Sequence, residues 1–212
     1  MSEAAAVAPV PPAPPAHPAH HAARRSWLFW TTALVILALD LWTKQAVFAR
    51  LGVDPKQFAS IEEFRRAPAP PKLWILGTSL DSKDRIGLVA TFNPGMMWGA
   101  FDDHPTLLKL VRPLAVLVIF MLLSSLPAGQ WSSRLALGGI LGGALGNIHD
   151  SFRFIGVRDF FEVYLRDVWL CTPFPAFNLA DSAICVGVAV LALGMMRGTH
   201  EPAAAAKPPL AA

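Results

Sequence analysis

Long apolar runs alternate with short polar stretches along this chain, and their lengths predict membrane helices rather than the helices of a soluble core. The first run, Trp27 to Leu39, follows Arg24-Arg25 and continues through Asp40 and Lys44, giving an expected span at about 27–46. Others are expected at about 106–126, 134–151 and 174–196. Leu73 to Leu80 and Arg85 to Phe92 are β-like runs joined by the turn Asp81-Ser82-Lys83-Asp84, so a β element over about 73–101 should lie outside the membrane. QFASIEEFRR, within Leu51 to Pro71, reads as a short amphipathic helix, and Phe152 to Thr172 as a charged, aromatic loop. Met1 to Ala23 is rich in Ala, Pro and His and cannot bury a core. Residues 1–25 and 198–212 are therefore expected to be disordered tails around a membrane domain of residues 26–197.

No small-residue cleavage site follows the first run, so it should remain as an uncleaved helix with a cytoplasmic N-terminus. Four spans put both termini on one side, and Arg24, Arg25, Arg134, Arg197 and Lys207 argue that this side is cytoplasmic. In the third span the glycines fall in two rows, Gly138/Gly142/Gly146 and Gly139/Gly143/Asn147, a spacing that lets neighbouring helices approach closely.

Composition agrees with the pattern. The 212 residues are 54% hydrophobic and 16% charged, against roughly 25% charged in soluble domains, and the mean hydropathy is +0.44. A net charge of +3 and a single Tyr make nucleic acid an unsuitable partner. Cys171 and Cys185 have no CxxC or Cys/His setting, so neither a disulfide framework nor a zinc site is expected, and no metal or cofactor.

The candidate chemistry gathers between Gly138 and Asp181. Asp150, Asp159 and Asp181 lie beside Asn147 and Asn178, where carboxylates at the edge of an apolar span are costly and mark a site by default. A loop that folds back can bring Asp159 against Asp181. Asp181 is seven positions past Phe174, roughly 10 Å below an expected helix start there, at about 1.5 Å per residue. Asn147/Asp150 and Asn178/Asp181 are i,i+3 pairs, so the five polar residues can converge on one pocket. Two close carboxylates in low dielectric share a proton; one then serves as base on water while the other polarises a carbonyl. Ion or proton translocation remains the other option at this point. Asp40 and Lys44 can pair at i,i+4, Lys109 and Arg112 should snorkel at the start of the second span, and the run from Asn93 through Gly95 to Phe101 suggests irregular backbone beside an apolar ligand.

At these residues the sequence resembles the lipoprotein signal peptidase (signal peptidase II) family, over about Trp27 to Met196. Asp40-Leu41-Trp42-Thr43-Lys44 is similar to D-x-x-[ST]-K, Asn93 to Phe101 to N-x-G-[AV]-[AG]-[FW]-[GS], and Gly143 to Asp150 to G-[AG]-x-G-N-x-x-D. Gly156 to Phe160 resembles G-x-V-[VT]-D-[FM], and Phe177 to Ser182 matches F-N-[VIL]-A-D-[SA]. The resemblance implies an all-α integral membrane fold of four transmembrane helices with a small periplasmic β-hairpin or cradle. It implies a catalytic dyad of Asp159 and Asp181, with Asn93, Gly95, Asn147, Asp150 and Asn178 shaping the site or holding substrate and Asp40 and Lys44 in support. Ser151 stands where the family usually has Arg, with Arg153 two residues on as a substitute, and Arg158 replaces an apolar residue. The implied activity is an aspartic endopeptidase of the bacterial inner membrane, a monomer acting at the periplasmic face among membrane lipids. It would cut diacylglyceryl-modified prolipoproteins before the lipidated cysteine. The rivals are a small ion or proton transporter, a presenilin- or prepilin-peptidase-type protease, whose GxGD motif is missing from this sequence, and a catalytically inactive homologue.

Overall fold

In the computed structural model the described residues are 20–76, 85–95, 105–127, 129–164 and 174–198, with side chains described among them from residue 27 to 196 except at 105, 106 and 108. Four long helices and one short one accompany a small antiparallel sheet. The order is α1 (His20–Arg50), α2 (Ile61–Arg66), β1 (Leu73–Leu76), β2 (Arg85–Asn93), α3 (Pro105–Ser125), α4 (Trp131–Arg153), β3 (Val157–Tyr164), β4 (Phe174–Phe177) and α5 (Leu179–Gly198). Residues 27–50 and 179–196 have the length and composition to cross a membrane. Helix α1 begins at His20, inside the stretch expected to be disordered, because Ala22 to Arg25 are good helix formers that extend the apolar run backwards. The turn at 81–84, residues 96–101, Cys171 and the tail sequences 1–19 and 199–212 fall outside the described residues.

The expected glycine rows both meet a partner, on different faces of α4. Gly138 and Gly142 face α1, where an added Cβ would lie 2.5 Å from the carbonyl oxygens of Phe29 and Ala33 respectively. Gly143 faces α5, with the Ala180 carbonyl oxygen 2.6 Å from the same hypothetical atom. Helix α4 is thus the central element, parallel to α1 and antiparallel to α5. Phe29, Ala33, Ile119, Leu137 and Leu141 form the core at the end of the bundle where α4 starts. Gly142→Ala is expected to destabilise by about 1–3 kcal/mol through overpacking. Gly194→Ala, with nothing within 4 Å of its added carbon, should instead stabilise by roughly 0.5–1 kcal/mol. Thermal melts of the two variants in detergent check the contrast, and equal shifts would refute the close packing.

The sheet sits where α1 and α4 end and α5 begins, and it is larger than a hairpin. Its order is β1-β2-β3-β4, all antiparallel, with Trp74 opposite Gly87, Thr91 opposite Asp159, and Phe161 opposite Phe177. This enlarges the β-hairpin or cradle expected beside the helices, and Val157–Tyr164 is a strand within the loop expected over 152–172. Val157-Arg158-Asp159-Phe160-Phe161-Glu162-Val163-Tyr164 is rich in β-branched and aromatic residues, and its three charges disguise the strand. The fourth long helix also starts later than expected. Phe174–Phe177 forms β4, because Pro175 lacks an N–H and biases Phe174 away from helix. The amphipathic helix is present as α2, where Ser60 Oγ accepts the Glu63 N–H at 3.1 Å and Glu63 Oε2 accepts the Ala59 N–H at 2.7 Å. It covers the sheet: Ile61, Phe64 and Phe58 pack on a second core of Phe48, Leu51, Val53, Ala90 and Phe92.

Candidate active site

The N-terminus of α5 is built as a reciprocal cap. Asn178 Oδ1 accepts the Asp181 N–H at 3.0 Å, and Asp181 Oδ2 accepts the Asn178 N–H at 3.1 Å. Asp40, from α1, accepts the Ala180 N–H at 2.9 Å. Three backbone donors that the helix leaves open are thereby used, which explains an Asn-x-x-Asp spacing at this junction. Asp181 consequently lies in the first turn of α5, not some 10 Å down a span that starts at Phe174. It takes a second hydrogen bond from Asn147 Nδ2 at 2.8 Å. Both of its oxygens thus accept hydrogen bonds at the N-terminus of α5.

Asp159 comes from β3 and is 2% exposed. Asn178 Nδ2 donates to its Oδ1 at 2.6 Å, and the Asn93 side chain donates as well. Burial, and then the neighbouring charge of Asp181, push its carboxyl up to about 8, against the pull of those two amides. That raised carboxyl favours a proton on Asp159 beside Asp181, the division of labour that acid–base chemistry at a carbonyl needs.

Beneath the two acids lies a buried network of alternating charge. Lys44 Nζ is 2.7 Å from Asp40 Oδ2 and 3.4 Å from Asp150 Oδ2, and all three side chains are fully buried. Lys44 also donates to Asn147 Oδ1 at 2.9 Å. Because an ammonium only donates, it holds the amide oxygen of Asn147 and turns the amide nitrogen towards Asp181. Arg158 grips Asp150 with Nη2 at 2.9 Å and Nε at 3.1 Å, while its backbone N–H adds 3.0 Å. Strand alternation puts successive side chains on opposite faces: Arg158 turns back to Asp150 and the Phe154 ring, 4.3 Å away, and Asp159 turns to the pocket.

That pocket, about 210 Å³, is lined by Asn93, Gly95, Arg112, Asn147, Asp159 and Asp181, with Val157, Ala176, Ile184 and Cys185 as its less polar wall. The structure thus brings five of the expected residues to one cavity. Asp40, Lys44, Asp150 and Asn178 are fully buried behind it; Asp150 does not converge on the cavity, since its oxygens are taken by Lys44 and Arg158. Arg153 is exposed and lines no part of it, because two positions along a helix turn a side chain by about 200° from Ser151. Two cations take the place that Arg153 was expected to fill. Arg158 pairs with Asp150. Arg112 does not snorkel: it reaches Ser151 Oγ through Nη1 and the Gly95 carbonyl through Nη2 at 2.8 Å. A cation two turns into an apolar run was the signal for Arg112, and the period of two along β3 was the signal for Arg158.

The family model for signal peptidase (SPase) II matches residues 32–197. A lipoprotein signal peptidase of Teredinibacter turnerae is 42% identical over 90 residues, 42% of this chain and 51% of that protein, so the chain spans about half the length of this relative. The lipoprotein signal peptidase of Pseudomonas paraeruginosa is 40% identical over 166 residues, covering 78% of this chain and 92% of that one. A solved bacterial membrane enzyme, determined in meso at 2.3 Å, shares the fold with a TM-score of 0.61 at 16% identity, over 82% of this chain and 90% of its own. A match over most of the chain, with the paired aspartates on a shared pocket, leaves one conclusion: the chain belongs to the signal peptidase II family.

Proposed function

We propose that this protein is an aspartic endopeptidase that removes signal peptides from diacylglyceryl-modified prolipoproteins, cutting before the lipidated cysteine. The observation that carries the reading is the pairing of buried Asp159, its carboxyl pushed up to about 8, with Asp181 on one pocket. Asp181 takes a proton from water as the oxygen attacks the scissile carbonyl carbon, and Asp159 gives its proton to the carbonyl oxygen. The resulting gem-diol collapses as the C–N bond breaks and the leaving nitrogen takes the proton held by Asp181. Both acids end where they began once Asp159 recovers its proton from the diol hydroxyl.

In this reading α1, α3, α4 and α5 each cross the bacterial inner membrane, with both termini in the cytoplasm and the site at the periplasmic face. Exposed Leu110, Leu114, Leu117 and Met121 on α3, and Val186, Leu193 and Met195 on α5, supply a lipid-facing surface. The arginines near the other ends of the helices favour the cytoplasmic side there. A transporter would string its acids along the bundle, whereas Asp40, Asp150, Asp159 and Asp181 gather at one end.

Purified protein in detergent should cleave a diacylglyceryl-modified prolipoprotein, spare the unlipidated precursor, and keep its rate in the presence of a chelator. Since Asp159 acts as the acid, the rate should fall as pH rises through about 8, approaching tenfold per unit beyond it. A profile that stays level to well above that pH would remove Asp159 from the acid role. Failure to cut any lipidated precursor would remove the peptidase reading altogether.

A further inference from the structure

Arg112 is the single cationic side chain lining the pocket among the described residues, and it comes from α3, which contributes no other lining residue there. Its guanidinium is held at two points, by Ser151 Oγ on α4 and by the Gly95 carbonyl beyond the end of β2. Those bonds use two of the five N–H donors of a guanidinium, so among the described residues three are left unspent beside the acids. Anchoring on fixed atoms of two other elements makes the fork rigid, and its freedom is lost before any ligand arrives. The charge balance limits what that ligand is. The positive charge of Arg112 interacts with the acidic groups of Asp181 and Asp159. An anion would meet the carboxylate of Asp181, whereas a neutral acceptor oxygen would meet the free donors of Arg112.

We propose that Arg112 binds a carbonyl oxygen of the substrate through its remaining N–H groups and so registers the scissile bond against Asp159 and Asp181. The proposal rests on the peptidase reading and extends it to a residue on α3. Two carbonyls of a lipid-modified peptide present this chemistry: a peptide C=O next to the cleaved bond and an ester C=O of the diacylglyceryl group.

Steady-state cleavage by wild type, Arg112→Met, Arg112→Lys and the exchange Arg112→Ser/Ser151→Arg tests it, with thermal melts run on every variant. The methionine keeps the apolar stem and loses the donors. It should lower kcat/KM by about 10- to 100-fold, the range supplied by a hydrogen bond from a charged donor, mostly through KM. Lysine, a point charge without the fork, should recover only part. The exchange returns a guanidinium to the same pocket from α4 and should recover most of the loss. An ether-linked substrate lacks the ester carbonyl. If wild type loses the same factor on it and Arg112→Met loses nothing further, the ester is the acceptor; if the Arg112→Met penalty persists unchanged, the peptide is. Wild-type kcat/KM in Arg112→Met would overturn the proposal, as would a loss that follows the melting temperature alone and is not recovered by the exchange. Inactivity of wild type on the lipidated substrate would instead overturn the peptidase reading, and this proposal with it.

Discussion

Asp159→Asn and Asp181→Asn are each expected to lower the cleavage rate by about 10²–10⁴-fold, the contribution typical of a positioned acid or base. The double variant should be little slower than either single one, because two groups that pass one proton between them act as a unit. The two substitutions should differ in stability, however. Asp159 is buried, its carboxyl is pushed up to about 8, and it accepts the amides of Asn178, at 2.6 Å, and Asn93. An asparagine carries no charge to desolvate but keeps only one acceptor oxygen for the amides of Asn178 and Asn93, so the two effects offset and Asp159→Asn should melt near the wild-type temperature. Asp181 uses both oxygens as acceptors, one for Asn147 Nδ2 and one for the Asn178 N–H. An asparagine offers a single acceptor oxygen and sets its amide nitrogen against another donor, so Asp181→Asn should lose about 1–3 kcal/mol. Cleavage assays and melts on the same preparations read both effects. A fully active, well-folded single variant would dismiss the dyad; a greater destabilisation in Asp159→Asn than in Asp181→Asn would reverse the assigned protonation states.

The parts of the site that were legible in the sequence are those whose cause is local or costly. An apolar run announces a helix, and glycines at i,i+4 on α4 announce close neighbours, which α1 and α5 turn out to be. A carboxylate within such a run demands an explanation wherever it is, so Asp40, Asp150 and Asp181 stood out without any structure. What stayed hidden depends on pairing between distant segments. Strand β3 carries Arg158, Asp159 and Glu162 among its apolar residues, and only its place between β2 and β4 makes both of its faces partly buried. Pro175 could have signalled that the last helix starts late, but the apolar character of Phe174 to Phe177 masked it. Arg112 reads as a snorkelling cation from its own helix alone; its partners, Gly95 and Ser151, are 17 and 39 positions away. Within Leu51 to Pro71 the short amphipathic helix was legible from its pattern, but its packing was not: Phe58, Ile61 and Phe64 close the core under the sheet.

Arg158→Met should cost about 3–5 kcal/mol, the usual result of stripping one partner from a buried ion pair. The buried cluster holds two acids, Asp40 and Asp150, and two bases, Lys44 and Arg158. With Arg158 gone, Lys44 alone must serve both acids, and a net negative charge is left where no water reaches. Asp150→Asn creates the opposite excess, with Lys44 and Arg158 facing Asp40, and should cost a similar amount. The double variant Asp150→Asn/Arg158→Met restores the balance, since Lys44 and Asp40 remain 2.7 Å apart and the new amide oxygen can still accept the backbone N–H of residue 158. It should therefore be clearly more stable than either single variant, although the smaller methionine gives up the guanidinium contacts with the Phe48 and Phe154 rings. Activity need not return with stability, because residue 158 precedes Asp159 on the same strand and fixes its height at the pocket. Melting curves of the four proteins form a double-mutant cycle. A coupling of several kcal/mol means that charge balance governs this end of the bundle, whereas additive losses would mean that Arg158 matters for its contacts alone and that the network beneath the acids is not electrostatic in origin.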